Sequence, residues 1–148
     1  MSSKAPIAYI DVRTFAHATE DTDKVQMALL KTLSTEAGET VVLKKSNLTG
    51  HHGNPIVLFE ARIKEKDAVR EVFRKLSSGL SMMDKELLGD EITWHLEKGN
   101  LYLRLDKQSA YLNELRLCET DPIHFKVHFK KSDTDQVVEI CRQLGLIP

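Results

Sequence analysis

Ile123-His124-Phe125-Lys126-Val127-His128-Phe129 alternates apolar and polar residues without a break. Successive side chains of a strand point to opposite faces, so this stretch reads as a half-buried strand. Ile123, Phe125, Val127 and Phe129 face a core, while His124, Lys126 and His128 face water. Ser132-Asp133-Thr134-Asp135 then caps a helix carrying Val137, Ile140, Cys141 and Leu144 at helical spacing, closed by Gly145. A half-buried strand feeding an amphipathic helix points to an α+β domain, with helices on one face of a mostly antiparallel sheet.

The rest of the chain extends that plan. Leu101-Tyr102-Leu103-Arg104-Leu105-Asp106 alternates again and reads as a strand running straight into Lys107-Gln108. Trp94-His95-Leu96-Glu97 leads into it through Lys98-Gly99-Asn100, as a hairpin would. A short helix is expected over 82–88, ended by Gly89. Before it, Val69, Val72, Phe73, Leu76 and Leu80 mark the clearest helix of the chain. Strands are expected over 56–64 and 40–45, with a loop from Ser46 to Pro55 between them. An earlier helix carries Val25, Ala28, Leu29 and Leu33, in a region ended by Gly38. A first strand over 7–17 sets Ile10, Val12 and Thr14 against Asp11 and Arg13. Asp21-Thr22-Asp23-Lys24-Val25 and Asp133-Thr134-Asp135-Gln136-Val137 echo one another, and shared capping chemistry accounts for the echo.

At 148 residues the chain fits one domain, 1–148, able to bury a core without disulfides or metal. Hydrophobic content of 41% and charged content of 29% are those of a globular protein. No apolar run approaches the ~18 residues of a membrane span, and Met1–Pro6 lacks the plan of a signal peptide. A cytoplasmic protein with no membrane partner is expected. Its 21 basic and 22 acidic residues give a formal charge of −1, so any nucleic-acid binding needs basic residues gathered on one face.

Tyr102, Arg104, Lys107 and Gln108 place an aromatic ring, a guanidinium, an ammonium and an amide within a few residues. That mixture suits stacking on bases and holding phosphates. If strand 123–129 neighbours strand 101–106, Lys126 and Lys130 join the same face, although an edge strand can be lysine-rich merely to resist aggregation. Gly50-His51-His52-Gly53-Asn54-Pro55 offers glycines for close backbone approach and polar groups for phosphate or base edges. It lacks the spacing and lysine of a P-loop. The histidines do not make a metal centre. His51 and His52 in an extended loop point apart, and His124 and His128 lie about 13 Å apart along their strand. A site drawn from His17, a loop histidine and Asp21 is conceivable only if distant segments converge. Two cysteines, Cys118 and Cys141, support neither a disulfide framework nor a zinc site. No nucleophile motif or carboxylate pair is visible, so no catalytic residue, metal or cofactor is expected.

Three blocks together carry a more specific signal: Phe15-Ala16-His17-Ala18-Thr19-Glu20-Asp21, Gly50-His51-His52-Gly53-Asn54-Pro55-Ile56, and Leu103-Arg104-Leu105-Asp106-Lys107-Gln108-Ser109-Ala110-Tyr111. In order and spacing, over about residues 7–131, they resemble the archaeal family of predicted exosome-associated RNA-binding proteins. The resemblance implies a fold like that of the 5S-RNA-binding ribosomal protein, RNA binding without catalysis, and exosome or ribonucleoprotein proteins as partners. Asn113 and Cys118 stand where the family pattern has glycine, which bears on the turn after Tyr111. On this reading Arg104 and Lys107 contact phosphates, and Arg13, Lys126 and Lys130 extend the patch. Tyr102 or Tyr111 stacks on a base, Gln108 lies beside them, and His17, His51, His52 and Asn54 line the same surface. The rival is an adaptor in a ribonucleoprotein assembly, without direct RNA binding, that uses these motifs for protein contacts or for structural hydrogen bonds.

Overall fold

The structure is a computed structural model and describes residues 6–33 and 41–148. Its strands are β1 (Ile7–Ala16), β2 (Lys44–Thr49), β3 (Pro55–Ile63), β4 (Leu96–Glu97), β5 (Asn100–Leu105) and β6 (Ile123–Phe129). They form one six-stranded sheet in the order β2-β3-β1-β6-β5-β4. Every neighbouring pair is antiparallel. The helices are α1 (Thr22–Thr32), α2 (Lys66–Gly79), α3 (Met82–Asp90), α4 (Lys107–Tyr111) and α5 (Thr134–Gln143), with a 3₁₀ turn over Ile92–His95. The architecture is a single α+β domain. No helix among the described residues is long and apolar enough to cross a membrane.

The alternation read from the sequence decides which face of the sheet is covered. Ile10 and Val12 of β1, Leu101, Leu103 and Leu105 of β5, and Ile123, Phe125 and Val127 of β6 are all buried. Against them α1 lays Val25, Ala28 and Leu29, α2 lays Val69, Val72, Phe73 and Leu76, and α5 lays Val137 and Cys141. Each Val, Leu, Ile or Phe among them contributes about 1.5–3 kcal/mol when fully buried. Phe73 meets Phe129 edge to face, with centroids 6.3 Å apart, which ties α2 to the end of β6. Burial pushes the Cys141 thiol up to about 12, so it serves as a small core residue. The echoed motifs act as caps: Asp21 accepts from the N–H groups of Asp23 and Lys24, and Asp133 from that of Gln136.

The structure differs from the sequence reading at several places. The second strand lies at Lys44–Thr49, not 40–45, and half of the expected Ser46–Pro55 loop is strand. As an edge strand it is mostly exposed on both faces, so a polar sequence can occupy it. Only 50–54 turns, closed by Gly50 N–H to the Asn54 carbonyl (2.6 Å) and Gly53 N–H to the Gly50 carbonyl (3.0 Å). In that tight turn the rings of His51 and His52 meet edge to face at 5.7 Å instead of pointing apart. Gly38 and Thr40, named above as an end and a start, lie outside the described residues. Gly89 falls inside α3, which ends at Asp90. Strand β5 stops at Leu105, because Asp106 turns to cap α4, accepting from Ser109 N–H (2.9 Å) and Ser109 Oγ (2.7 Å). Asn113 takes φ +64, the left-handed region that glycine adopts freely and asparagine tolerates, whereas Cys118 does not.

Candidate nucleic-acid interface

Antiparallel register places directly opposed residues on the same face. The face without helices is therefore a grid of cross-strand rows about 6.6 Å apart. At one end Ser46, Leu58 and Phe15 form a row. The next crosses five strands: Lys44, Glu60, Arg13, His124 and Arg104. After it come Arg62, Asp11, Lys126 and Tyr102, and then Tyr9, His128 and Asn100. The middle rows line a shallow concavity of about 550 Å³ that holds Asp11, Arg13, Lys44, Glu60, Arg62, Tyr102, His124 and Lys126. A nearly neutral chain thus gathers cations on one surface.

Partnering differs from row to row. Arg62 grips Asp11 in a bidentate pair (2.7 and 3.0 Å) and lies over the Tyr9 ring at 4.1 Å. Tyr9 also stacks on His128 at 4.7 Å. In that row Arg62 and Asp11 satisfy one another, while Lys126 makes no ion pair among the described residues. In the row before it, Arg13, Lys44, Glu60 and Arg104 make no ion pair among the described residues. Partial burial, with the positive charges of Arg13 and Arg104 on either side, holds the His124 pKa below its ordinary value. Tyr102 tilts against His124 with centroids 5.6 Å apart. Two unpaired guanidiniums flanking a neutral imidazole make a site for an anion, since arginine holds phosphate with a planar fork of donors.

The second cluster lies at the end of the sheet where β1, β5 and β2 finish and β3 and β6 begin. All three sequence blocks reach this end. Lys107, only 8% exposed, donates from Nζ to the Phe15 carbonyl (2.6 Å), Glu20 Oε1 (3.0 Å) and Asp121 Oδ2 (3.0 Å). His17 Nε2 lies 2.9 Å from Asp121 Oδ1, and the His17 N–H donates to Glu20 Oε1 (3.0 Å). Lys107 therefore spends its three protons inside the protein and joins the β1–α1 connection to the segment before β6. Starting α4 directly after β5 aims its side chain inward. His17, Glu20 and Asp121 are of metal-ligating type and their ligand atoms lie within 4.8 Å of one another. The Lys107 ammonium already occupies the cation's position between the carboxylates. Elemental analysis of protein purified without a histidine tag is expected to find no stoichiometric metal; one tightly bound zinc per chain would overturn that expectation.

Asp121 gives this cluster a pH signature. Burial alone would raise its pKa, but hydrogen bonds from Lys107 and His17 outweigh burial and hold it below the ordinary 3.8. A carboxylate depressed in the folded state adds stability above its unfolded pKa, and that stability is lost as pH falls through the folded value. Asp121→Asn is expected to melt earlier at pH 7 and to depend less on pH below about 4 than the wild type. Parallel melting curves for the two proteins from pH 7 down to pH 2 would contradict this.

The other residues singled out in the sequence are dispersed. Tyr111 packs on the helical side, with Lys31 over its ring at 4.8 Å and donating to its carbonyl (2.8 Å). Gln108 is exposed on α4, and Lys130 lies just past β6, at the opposite end of the sheet from Arg104. His51, His52 and Asn54 are exposed at the tip of the β2–β3 turn. Tyr9, Lys44, Glu60, Arg62 and His124 share the open face but were not among the sequence candidates. Parity within β1, β3 and β6 sets Tyr9, Glu60, Arg62 and His124 on the polar side, whereas Lys44 lies in the unpatterned edge strand β2. What the sequence lacks is the strand order that makes them neighbours.

A family model described as RNA binding matches residues 9–129, which include the whole interface from Tyr9 to His128. The chain belongs to this RNA-binding family. It is 37% identical over 134 residues to RNA-binding protein PAB1135 of Pyrococcus abyssi, covering 88% of this chain and 86% of that protein. Uncharacterized protein MJ0213 of Methanocaldococcus jannaschii is 30% identical over 145 residues, covering 92% and 97%. Among solved structures, Mth689 of Methanothermobacter thermautotrophicus, a DUF54 protein, superposes with a TM-score of 0.77 at 27% identity, covering 94% of this chain and 98% of that one. AF2318 of Archaeglobus fulgidus, of the same DUF54 group, gives 0.78 at 26%, covering 93% and 99%.

Proposed function

We propose that this member of the family is a non-catalytic protein that binds RNA on the open face of its sheet. The observation that carries the reading is the row Arg13, His124 and Arg104, whose guanidiniums have no anionic partner among the described residues. RNA supplies the missing anions. Lys126 and Lys44 extend the phosphate surface and Tyr102 offers a ring for stacking. His51, His52 and Asn54 reach RNA that continues past the end of the sheet, with His17 and Gln108 at its margin. Lys107 acts from inside, by holding that end together. Ultraviolet crosslinking to labelled RNA, with the modified peptides mapped by mass spectrometry, tests the surface. Adducts are expected in β1, β5 and β6, and adducts confined to the helices would defeat the reading.

The family resemblance and the relative named an RNA-binding protein also support a finer proposal. In it the protein works in the cytoplasm of an archaeal cell, in RNA processing or degradation with the exosome, on a fold like that of the 5S-RNA-binding ribosomal protein. Crosslinking in native cells followed by sequencing of the bound RNA, with co-purification of exosome subunits, tests it. One observation favours the adaptor reading as a second activity. Met83 and Leu87, at i and i+4, share a face of α3 and are exposed, and Trp94 in the 3₁₀ turn that follows α3 is exposed at 80%. An exposed apolar patch of this kind marks protein contacts.

A further inference from the structure

We propose that the open face takes single-stranded RNA and reads an unpaired guanine with Glu60. This inference rests on the RNA-binding reading and deepens it by naming the form of RNA and one base.

Glu60 is out of place on a surface made only to attract phosphates. It stands in the cationic row, directly opposite Arg13 on one side and Lys44 on the other, yet forms an ion pair with neither. An ionised carboxylate only accepts hydrogen bonds. It repels phosphate oxygens, so the part of the ligand that it meets must carry N–H donors. In RNA those donors are on the base edges. A duplex uses them in pairing and turns them inward, behind a convex wall of phosphates. The Glu60 carboxylate instead lines a concavity, with the Tyr102 ring and His124 in the same hollow. Sequence-specific contacts to RNA are typically made to unstacked bases of single strands and loops.

The order of groups in the row selects the base. The pairing edge of guanine presents two adjacent donors, N2–H and N1–H, followed by the O6 acceptor. Two carboxylate oxygens beside a cationic donor are its complement. Adenine and cytosine each offer one exocyclic amine beside an acceptor, and uracil one N–H between two acceptors, so none meets both oxygens. Lys44 then takes O6, and the Arg13 and Arg104 pair is left for the phosphates on either side.

The test uses fluorescence anisotropy with a labelled eight-nucleotide strand of uridines carrying one central guanosine. The same strand with inosine in its place and a blunt duplex of the guanosine strand complete the set. Inosine keeps N1–H and O6 but lacks the N2 amine. Wild-type protein is expected to bind the guanosine strand about tenfold more tightly than the inosine strand, as loss of a bidentate base contact implies. It should also bind it more tightly than the duplex. Glu60→Gln should bind both strands alike. If the duplex binds as well as the single strand, the inference fails while RNA binding stands. If guanosine and inosine strands bind wild type equally, the role of Glu60 fails. If no RNA binds, the reading on which the inference rests fails with it.

Discussion

Lys107→Met is expected to lower the melting temperature by roughly 10 °C, a loss of about 3 kcal/mol. The substitution keeps the length of the side chain and most of its apolar stem, so packing changes little. It removes the ammonium that satisfies the Phe15 carbonyl, Glu20 and Asp121 together. Breaking a buried pair by deleting one partner costs about 3–5 kcal/mol, because the remaining charge is left without compensation. Here Glu20 and Asp121 keep side-chain exposures of 30% and 46%, so water recovers part of the loss and the low end applies. Asp121 also sits at φ +46, a conformation that Lys107 and His17 help to hold. Thermal denaturation followed by circular dichroism checks the effect. An unchanged midpoint would mean that the network contributes nothing, and Lys107 would again be open to a direct role with phosphate.

The second large effect falls on RNA affinity. Replacing Arg13 and Arg104 together with alanine is expected to weaken binding to a single strand at least tenfold, with the melting temperature nearly unchanged. Among the described residues neither guanidinium has an ion-pair partner to lose. Each neutralised phosphate adds about 0.7 to the slope of log affinity against log salt on single strands, so the slope should flatten by about 1.4. The pH dependence follows from His124. Its pKa is depressed by burial, Arg13 and Arg104 in turn. A phosphate seated between the guanidiniums offsets their charge and raises that pKa. Binding then takes up a proton, so wild-type affinity should rise as pH falls from 7 through the ordinary value of 6.5 toward the depressed one. His124→Asn should remove that rise. A double arginine variant that binds with wild-type affinity and salt slope would remove the interface from this face.

Arg104 and Lys107 mark how far the sequence is legible. Alternation placed Ile123–Phe129 and Leu101–Leu105 correctly, because a sheet covered on one side imposes a period of two. The clearest helix likewise followed from its apolar spacing. The same alternation put Arg104 on the open face. The alternation does not extend to Lys107, because the strand stops at Leu105 and Asp106, which alternation reads as a polar strand residue, is a helix cap instead. Edge strand β2 escaped for the opposite reason: with most of its side chains in water, nothing forces a hydrophobic pattern on it. Glu60 and Tyr9 were legible as polar-face residues, but only strand order makes them neighbours of Lys44 and His128. Contacts between residues far apart in sequence are the part that local periodicity does not encode.

The position of β1 sets the order in which the protein can assemble. Ile10 pairs with Ile63 on one side and with Val127 on the other, so the first of the described strands waits for the last of them. The nascent chain can bring β1 and β3 together with α1 and α2 as soon as residue 79 is free. Until β6 emerges, the other edge of β1 keeps its ladder N–H and carbonyl groups unpaired. A bare edge backed by a hydrophobic face is the form in which strands join the wrong chain. Closure across so long a separation is also slow, since the loop entropy is lost before the pairing repays it. Misassembly during synthesis is therefore concentrated in the interval before β6 emerges, and slowing translation within that interval prolongs the exposure.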